Sequence, residues 1–186
     1  MELNKVLEKY FIPSNETPNE NRHICKECGG QCCKCMGCHI SPFDLKEISK
    51  EFIIALIDES QCISIDWWEG NAKTDEKDNS KSFYLRIRNK DAKVIDPAFG
   101  RHTCSLLTDT GCPLHFVYRP KGGRGLVPNP NTTDECQVLY EKQQCAIEWM
   151  PYLDIMTEVY NHYKKKGEVT PNLMGFMKWL LGVDDE

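Results

Sequence analysis

The chain has 186 residues, 40% of them hydrophobic, and a formal net charge of -5 at pH 7. This length suits one hydrophobic core, so we expect a single domain over residues 1–186. The charge disfavours a general nucleic-acid surface, and no apolar run approaches the ~20 residues of a membrane-spanning helix, so we expect neither nucleic acid nor a membrane as partner. The amino-terminal residues mix charged and apolar side chains, unlike a secretory signal, which favours a cytoplasmic location.

Two helices are predicted in the first third of the chain. Residues 2–11 place their apolar side chains on one side, as an amphipathic helix does, and a polar loop follows. Ser41 can cap a second helix, because Pro42 suits its first position and Asp44 lies three residues after the cap. This second helix is predicted over residues 42–59.

A short antiparallel hairpin region is predicted in the middle of the chain. Residues 83–88 alternate apolar and polar side chains like a strand, and residues 93–95 can return beside them after a turn. A second turn, at residues 108–111, separates Cys104 from Cys112. Closing this turn would bring the two thiols to similar heights on paired segments, where both could meet one ion.

The carboxyl-terminal part, residues 134–182, is predicted to be helical. A capping pattern at residues 132–135 precedes a long helix whose apolar residues recur every three or four positions, and Pro151 is expected to kink it. A last short helix is predicted over residues 171–181. Together these elements predict a small α+β domain, with helices around a short antiparallel hairpin region and a cysteine-rich metal-binding loop.

The cysteine-rich loop is the most informative segment for function. Six of the 11 cysteines of the chain fall within 14 residues. They are Cys25, Cys28, Cys32, Cys33, Cys35 and Cys38. Charged and amide side chains separate them, so apolar burial alone does not explain the segment. The loop contains two Cys-x-x-Cys turns, each of which lets two thiolates converge on one cation, and Gly29-Gly30 leaves the backbone free to adopt a left-handed conformation. In a reducing compartment this pattern predicts one or two metal sites rather than disulfides.

Further thiol ligands are expected from the rest of the chain. Cys104 and Cys112 are the natural candidates, followed by Cys136. Cys136 is predicted to lie in the first turn of the long helix, where the helix dipole would lower the pKa of its thiol. Cys62 and Cys145 are interpreted as ordinary small core or surface residues.

The sequence identifies no catalytic residue. It contains no glycine-rich phosphate loop after a strand and no His-Glu-x-x-His motif. The acids Asp66, Glu69, Asp96 and Asp109 could transfer protons beside a metal, but the sequence does not distinguish them from surface acids. His39 could supply a nitrogen ligand, yet its place before a predicted helix favours a solvent-facing loop residue. Trp67 and Trp68 could line a ligand pocket, and core packing is the preferred interpretation.

Several of these motifs occur in a fixed order between residues 25 and 128. They are Cys-x-x-Cys-Gly-Gly-x-Cys-Cys from residue 25, Ser-Pro-x-Asp from residue 41, Cys104-Ser-Leu-Leu, Gly111-Cys112-Pro-Leu and Tyr118-Arg119-Pro120. This order resembles the YkgJ-like cysteine-cluster family (CxxCxxCC), whose members are described as zinc- or iron-chelating domains. The resemblance implies that the metal ligands include Cys25, Cys28, Cys32, Cys33, Cys104 and Cys112.

One departure from the family pattern follows Arg119-Pro120. The family continues with a cysteine, an arginine and then a proline, whereas this chain has Gly122-Gly123-Arg124 and no thiol there. The candidates to replace the missing ligand are Cys35, Cys38 and Cys136. The additional thiols suit an iron–sulfur cluster as well as zinc.

The sequence therefore predicts a metal-binding protein that holds an iron–sulfur cluster or Zn2+ through clustered cysteines. One alternative is a metal- or cluster-dependent enzyme that acts on a small molecule or peptide, and the resemblance extends to proteins associated with protein methylation. Another alternative is a metal carrier or interaction module with exchangeable thiolates. In each case the metal is expected to organise the fold.

Overall fold

The computed structural model describes residues 3–16, 18, 27, 29–30, 33–34, 38–69, 81–96, 103–109, 111–128 and 136–170. The helices in these ranges are α1 (Leu3–Tyr10), α2 (Lys50–Ser60), α3 (Lys121–Arg124), α4 (Lys142–Trp149) and α5 (Leu153–Lys165). The strands are β1 (His39–Ile40), β2 (Ile63–Glu69), β3 (Lys81–Ile87), β4 (Leu126–Pro128) and β5 (Cys136–Val138). Short 3-10 turns lie at Pro42–Asp44, Phe116–Tyr118 and Met150–Tyr152. Helices beside antiparallel strands confirm the predicted α+β class.

Strands β1, β2 and β3 form an antiparallel sheet in the order β1-β3-β2. The long strands β2 and β3 pair over all seven residues of each. The short strand β1 pairs with the other edge of β3, where His39 lies opposite Arg86. Strands β4 and β5 pair separately. Because side chains alternate along a strand, this register assigns each residue of the sheet to one of two faces.

One face of the sheet is apolar and belongs to the hydrophobic core. The register places on it Ile40, Ile63, Ile65, Trp67, Phe83, Leu85 and Ile87. Helix α5 packs on this face, where the Tyr160 ring stacks on Phe83 with 4.8 Å between ring centroids. Helix α2 packs against α1, α5 and β2. Burial of these apolar side chains is the main favourable contribution to the stability of the fold.

The opposite face of the sheet is polar, although much of it is also buried. It carries His39, Ser64, Asp66, Trp68, Ser82, Tyr84 and Arg86. Helix α4 packs against the sheet, and its Lys142 ammonium group lies 5.6 Å from the centroid of the Tyr84 ring. The same helix is fixed to β1 by Trp149, whose Nε1 donates to the carbonyl oxygen of Ile40 at 2.7 Å. Buried charges on this face need polar partners within the protein.

The helix predicted over residues 42–59 begins later than predicted. The capping pattern at Ser41 is present, but it closes only the 3-10 turn Pro42–Asp44. Leu45 is then extended and forms an isolated bridge to the residue that follows α1. Ser49 caps α2 in its place. Pairing with a distant segment therefore overrides the local helix signal at Leu45.

The return strand predicted at residues 93–95 is also wrong. Strand β3 pairs with β2, which the sequence analysis did not predict, and Ile95 forms isolated bridges to Ile65 and Val169. The predicted turn at residues 108–111 is confirmed. Thr108 and Gly111 exchange two backbone hydrogen bonds, at 3.1 and 3.0 Å.

The helix predicted after residues 132–135 begins only at Lys142, and Cys136 lies in strand β5. The predicted placement of Cys136 in a first helical turn is therefore wrong. The expected interruption at Pro151 is confirmed, because the 3-10 turn Met150–Tyr152 separates α4 from α5. The helix predicted at residues 171–181 lies outside the described residues. Among the described helices, none has the length and apolar character that crossing a membrane requires.

Candidate metal centre

The structure describes the side chains of four predicted ligands. These are Cys33, Cys38, Cys104 and Cys112, each of intermediate exposure. Outside the described residues lie Cys25, Cys28, Cys32 and Cys35, and of Cys136 only the backbone is described. Within the described ranges, His, Cys, Asp and Glu side chains form no ready-made metal site of three or more members. Four of the nine predicted ligands can therefore be placed in the fold.

Main-chain hydrogen bonds bring three of these cysteines to the end of strand β3. The amide of Ile87, the last residue of β3, donates to the carbonyl oxygen of Cys38 at 2.9 Å. The amide of Cys104 donates to the carbonyl oxygen of Cys33 at 2.8 Å, and Cys104 also bridges Asn89 just beyond β3. Segments that are distant in sequence are therefore held together by the backbone itself.

The thiols of Cys38, Cys104 and Cys112 are close enough to influence one another electrostatically. Burial raises the pKa of Cys38 well above its ordinary value, and negative charge on Cys112 and Cys104 raises it further. Burial is also the main reason why the pKa of Cys104 is raised, and Cys112 adds to that effect. A cation bound near these sulfur atoms would oppose both effects, because opposite charge favours the thiolate.

The turn after Cys104 directs backbone donors toward its sulfur atom. The amide groups of Leu106 and Leu107 hydrogen-bond to the thiol and lower its pKa. Such donors favour the thiolate form, and hydrogen bonds to ligating sulfur are a common feature of metal-bound cysteines. These two amides therefore partly offset the effect of burial on Cys104.

A glycine turn of the cysteine-rich loop packs against the same segment. Gly29 and Gly30 have φ angles of 63° and 70°, which confirms the predicted left-handed conformation. Gly30 is buried, and a methyl group added to it would lie 2.6 Å from Cδ1 of Leu107. The turn between Cys28 and Cys32 therefore lies beside the segment that carries Cys104.

The sulfur atom of Cys38 lies against Gly123 of helix α3. A methyl group added to Gly123 would lie 2.6 Å from Sγ of Cys38 and 2.9 Å from Cγ of Arg119. That separation from sulfur is too short for any side chain, so glycine is required while Cys38 keeps its position. Arg119 is 7% exposed, and its positive charge lowers the pKa of Cys38.

Asp44 holds the short helix α3, and with it Gly123, beside β1. One carboxylate oxygen of Asp44 accepts hydrogen bonds from the amides of Ser41 and Lys121, each at 2.9 Å. The other oxygen accepts from both terminal nitrogens of Arg124, each at 3.2 Å. The Ser-Pro-x-Asp element therefore joins two segments that are about 80 residues apart in the chain.

Cys62 and Cys145, predicted to be ordinary core or surface residues, belong to the hydrophobic core. Cys145 is fully buried on α4, and its thiol donates to the carbonyl oxygen of Ile40 at 3.4 Å. Burial is the main cause that raises the pKa of Cys145 to about 12 and that of Cys62 to about 11. Both thiols stay neutral at physiological pH, which suits packing rather than metal binding.

A buried charged network on the polar sheet face was not anticipated from the sequence. Arg86 is fully buried and contacts Asp66 at 3.1 Å and Asp96 at 2.5 Å. The Tyr84 hydroxyl donates to Asp66 at 2.6 Å. His39 is part of strand β1 on this face, so the expectation of a solvent-facing loop residue is wrong. Arg86 also lowers the pKa of Cys104, which places the network beside the thiols.

Comparisons of the chain with known proteins returned no relative. No protein-family model, no curated protein and no solved structure matches it.

Proposed function

We propose that this chain is a metal-binding protein that holds an iron–sulfur cluster, or one or two zinc ions, through clustered cysteines. The proposed ligands are drawn from Cys25, Cys28, Cys32, Cys33, Cys35, Cys38, Cys104, Cys112 and Cys136. The observation that carries the proposal is that Cys38, Cys104 and Cys112, from separate segments, lie near enough to influence one another electrostatically, with the backbone of Cys33 bonded to that of Cys104. Clustered thiols in a reducing compartment are typical of metal sites. Because the cytoplasm is such a compartment, the proposal includes a cytoplasmic location.

Buried Arg119 supplies positive charge where such a site needs it. Arg119 favours the thiolate form of Cys38, and Arg86 that of Cys104. Four thiolates around Zn2+ leave a net negative centre, and an iron–sulfur cluster with cysteine ligands is also anionic. Nearby cations stabilise these centres most strongly where water is excluded.

Cys38 is the proposed replacement for the ligand that the family pattern places just before Arg124. Its sulfur atom occupies the space that a side chain at residue 123 would enter. The side chains of the other two candidates, Cys35 and Cys136, lie outside the described residues. The geometry of Cys38 and Gly123 thus supports the proposed substitution of one ligand for another.

Elemental analysis of anaerobically purified protein tests the proposal. Wild-type protein is expected to contain stoichiometric iron or zinc, and Cys38→Ala is expected to lose most of it. The matched control is Cys145→Ala, which removes a core thiol and is expected to keep its metal. A visible absorption band with iron identifies the cluster, whereas a colourless protein with stoichiometric zinc identifies zinc. Metal-free wild-type protein, or equal metal loss in the two variants, contradicts the proposal.

A metal- or cluster-dependent enzyme is the second candidate. The observation that favours it is the buried network of Asp66, Tyr84 and Arg86 beside Cys104, because buried titratable groups near a metal are typical of catalytic sites. A catalytic metal keeps one position open for water or substrate. If wild-type protein binds zinc, cobalt-substituted protein is the probe: azide is expected to change its absorption spectrum at an open site. An unchanged spectrum contradicts the enzyme hypothesis for a zinc protein and favours a closed structural site.

A further inference from the structure

A surface cavity lies beside the ends of helices α2 and α5. Its volume is about 350 Å3, within the range of roughly 300–1,000 Å3 that small-molecule sites occupy. The residues that follow strand β3 complete its wall. Four charged side chains line this one cavity, and they are Asp58, Arg88, Lys166 and Glu168. The cavity therefore brings two cations and two anions to the same place.

One wall of the cavity is already paired within the protein. The hydroxyl group of Tyr163 donates to a carboxylate oxygen of Asp58 at 2.8 Å. The ammonium group of Lys166 lies 3.8 Å from the other oxygen of Asp58, and both side chains are about half exposed. Ion pairs this exposed contribute little to stability. We therefore assign this wall no direct part in holding a ligand.

Arg88 and Glu168, by contrast, have unused hydrogen-bonding capacity. Nε and Nη2 of Arg88 donate to the carbonyl oxygen of Ile63, at 3.3 and 2.9 Å, which fixes the guanidinium group. Within the described part of the chain, Nη1 of Arg88 and the carboxylate of Glu168 have no hydrogen-bond partner. Arg88 and Glu168 influence each other electrostatically without forming an ion pair. A group that carries both charges can therefore fit between them.

The charges of the cavity restrict the class of ligand. Because its two cations and two anions balance, the cavity favours neither a simple anion nor a simple cation. A guanidinium group binds carboxylates well. The ends of α2 and α5 carry partial negative charge, which adds to that of Glu168 and favours an ammonium group. A small molecule with a carboxylate beside an ammonium group meets both conditions.

We propose that the cavity binds a free α-amino acid, with its carboxylate on Nη1 of Arg88 and its ammonium group on the carboxylate of Glu168. The two charged groups of an α-amino acid share one carbon atom. This spacing suits a gap between two side chains that lie near each other without pairing. The site goes beyond metal binding and does not depend on it.

Equilibrium dialysis of the metal-loaded protein against radiolabelled L-alanine tests this site. Saturable binding of one alanine per chain is expected. Two unlabelled analogues separate the charges: L-lactate lacks the ammonium group, and L-alaninamide lacks the carboxylate. Each is expected to compete about tenfold or more weakly than unlabelled alanine, because it loses one charge-assisted hydrogen bond.

Substitutions in the cavity test the same assignment. Glu168→Gln is expected to weaken alanine binding by about tenfold or more, because the ammonium group loses its anionic partner. The matched control Glu158→Gln changes an exposed carboxylate of α5 away from the cavity and is expected to bind alanine like the wild-type protein. Thermal unfolding of both variants shows that they are folded before dialysis.

Three outcomes would overturn the proposal: no saturable binding at millimolar alanine, competition by lactate or alaninamide as strong as by alanine, or unchanged affinity in Glu168→Gln. Metal analysis of the same wild-type sample keeps the two proposals separate. A metal-loaded protein that does not bind alanine overturns the amino-acid site and leaves the proposed metal centre standing.

Discussion

The sulfur atom of Cys38 occupies the space beside residue 123, and this contact leads to the first prediction. Cys38→Ala removes the sulfur atom from that space, and Gly123→Cys then places a new thiol within reach of the same position once Arg119 shifts slightly, because Cγ of Arg119 lies 2.9 Å from the added Cβ. The double variant Cys38→Ala/Gly123→Cys is therefore expected to recover much of the metal that Cys38→Ala loses. Metal-to-protein ratios of the wild type and of these two variants check it. If the double variant contains as little metal as Cys38→Ala, the assignment of Cys38 as the replacement ligand is contradicted.

A second prediction at the scale of the residue concerns Arg86, which pairs with both Asp66 and Asp96 inside the protein. Arg86→Met leaves two buried carboxylates without their cation and is expected to lower the free energy of unfolding by about 3–5 kcal/mol. Urea denaturation measures the change. Lys9→Met is the control, because it breaks the exposed Lys9–Glu59 pair and should change stability little. Similar losses in both variants would show that the buried network is not a stabilising unit.

Among the structural elements, α3 depends most clearly on one distant side chain. It has only four residues, and Asp44 binds its first amide and the guanidinium group of its last residue. Asp44→Ala is expected to destabilise the fold by about 3 kcal/mol and to reduce metal content, because Arg124 loses a buried partner and Gly123 moves away from Cys38. The control Ser49→Ala removes the cap of α2, costs about 1 kcal/mol and should leave metal content unchanged. Equal metal content in both variants contradicts the role of Asp44.

The elements that follow from local sequence rules could be predicted, and those that depend on strand pairing could not. Helix α1, strand β3 and the left-handed turn at Gly29-Gly30 follow local rules, and the structure confirms them. Strand β2 was missed, although Ile63 and Ile65 alternate with Ser64 and Asp66 in a strand-like pattern. Its polar residues become a buried network only when β3 places Arg86 beside them, and strand pairing is not visible in one sequence. The same limit accounts for Cys136, which belongs to a strand because β4 pairs with it.

For the molecule as a whole, the proposed metal centre and the apolar core are separate sources of stability. A structural zinc ion contributes ~10 kcal/mol or more to folding, which is comparable to the net stability of a domain. Removing the metal with a chelator is therefore expected to lower the melting temperature strongly. Hydrogen exchange should then increase first around Cys38 and Cys104, while buried residues of α2 and β2 such as Ile53 and Ile65 stay protected longer. If hydrogen exchange rises uniformly along the chain, or the melting temperature is unchanged, the metal centre and the apolar core are not separate sources of stability.

X-ray absorption at the iron and zinc edges, on anaerobically purified wild-type protein, tests the central claim most directly. Clustered cysteine ligands predict a first coordination shell made mainly of sulfur, at about 2.3 Å from the metal. This shell should lose sulfur in Cys38→Ala and remain unchanged in Cys145→Ala. A protein without bound iron or zinc, or a first shell of oxygen and nitrogen alone, would contradict the claim that these cysteines form a metal centre.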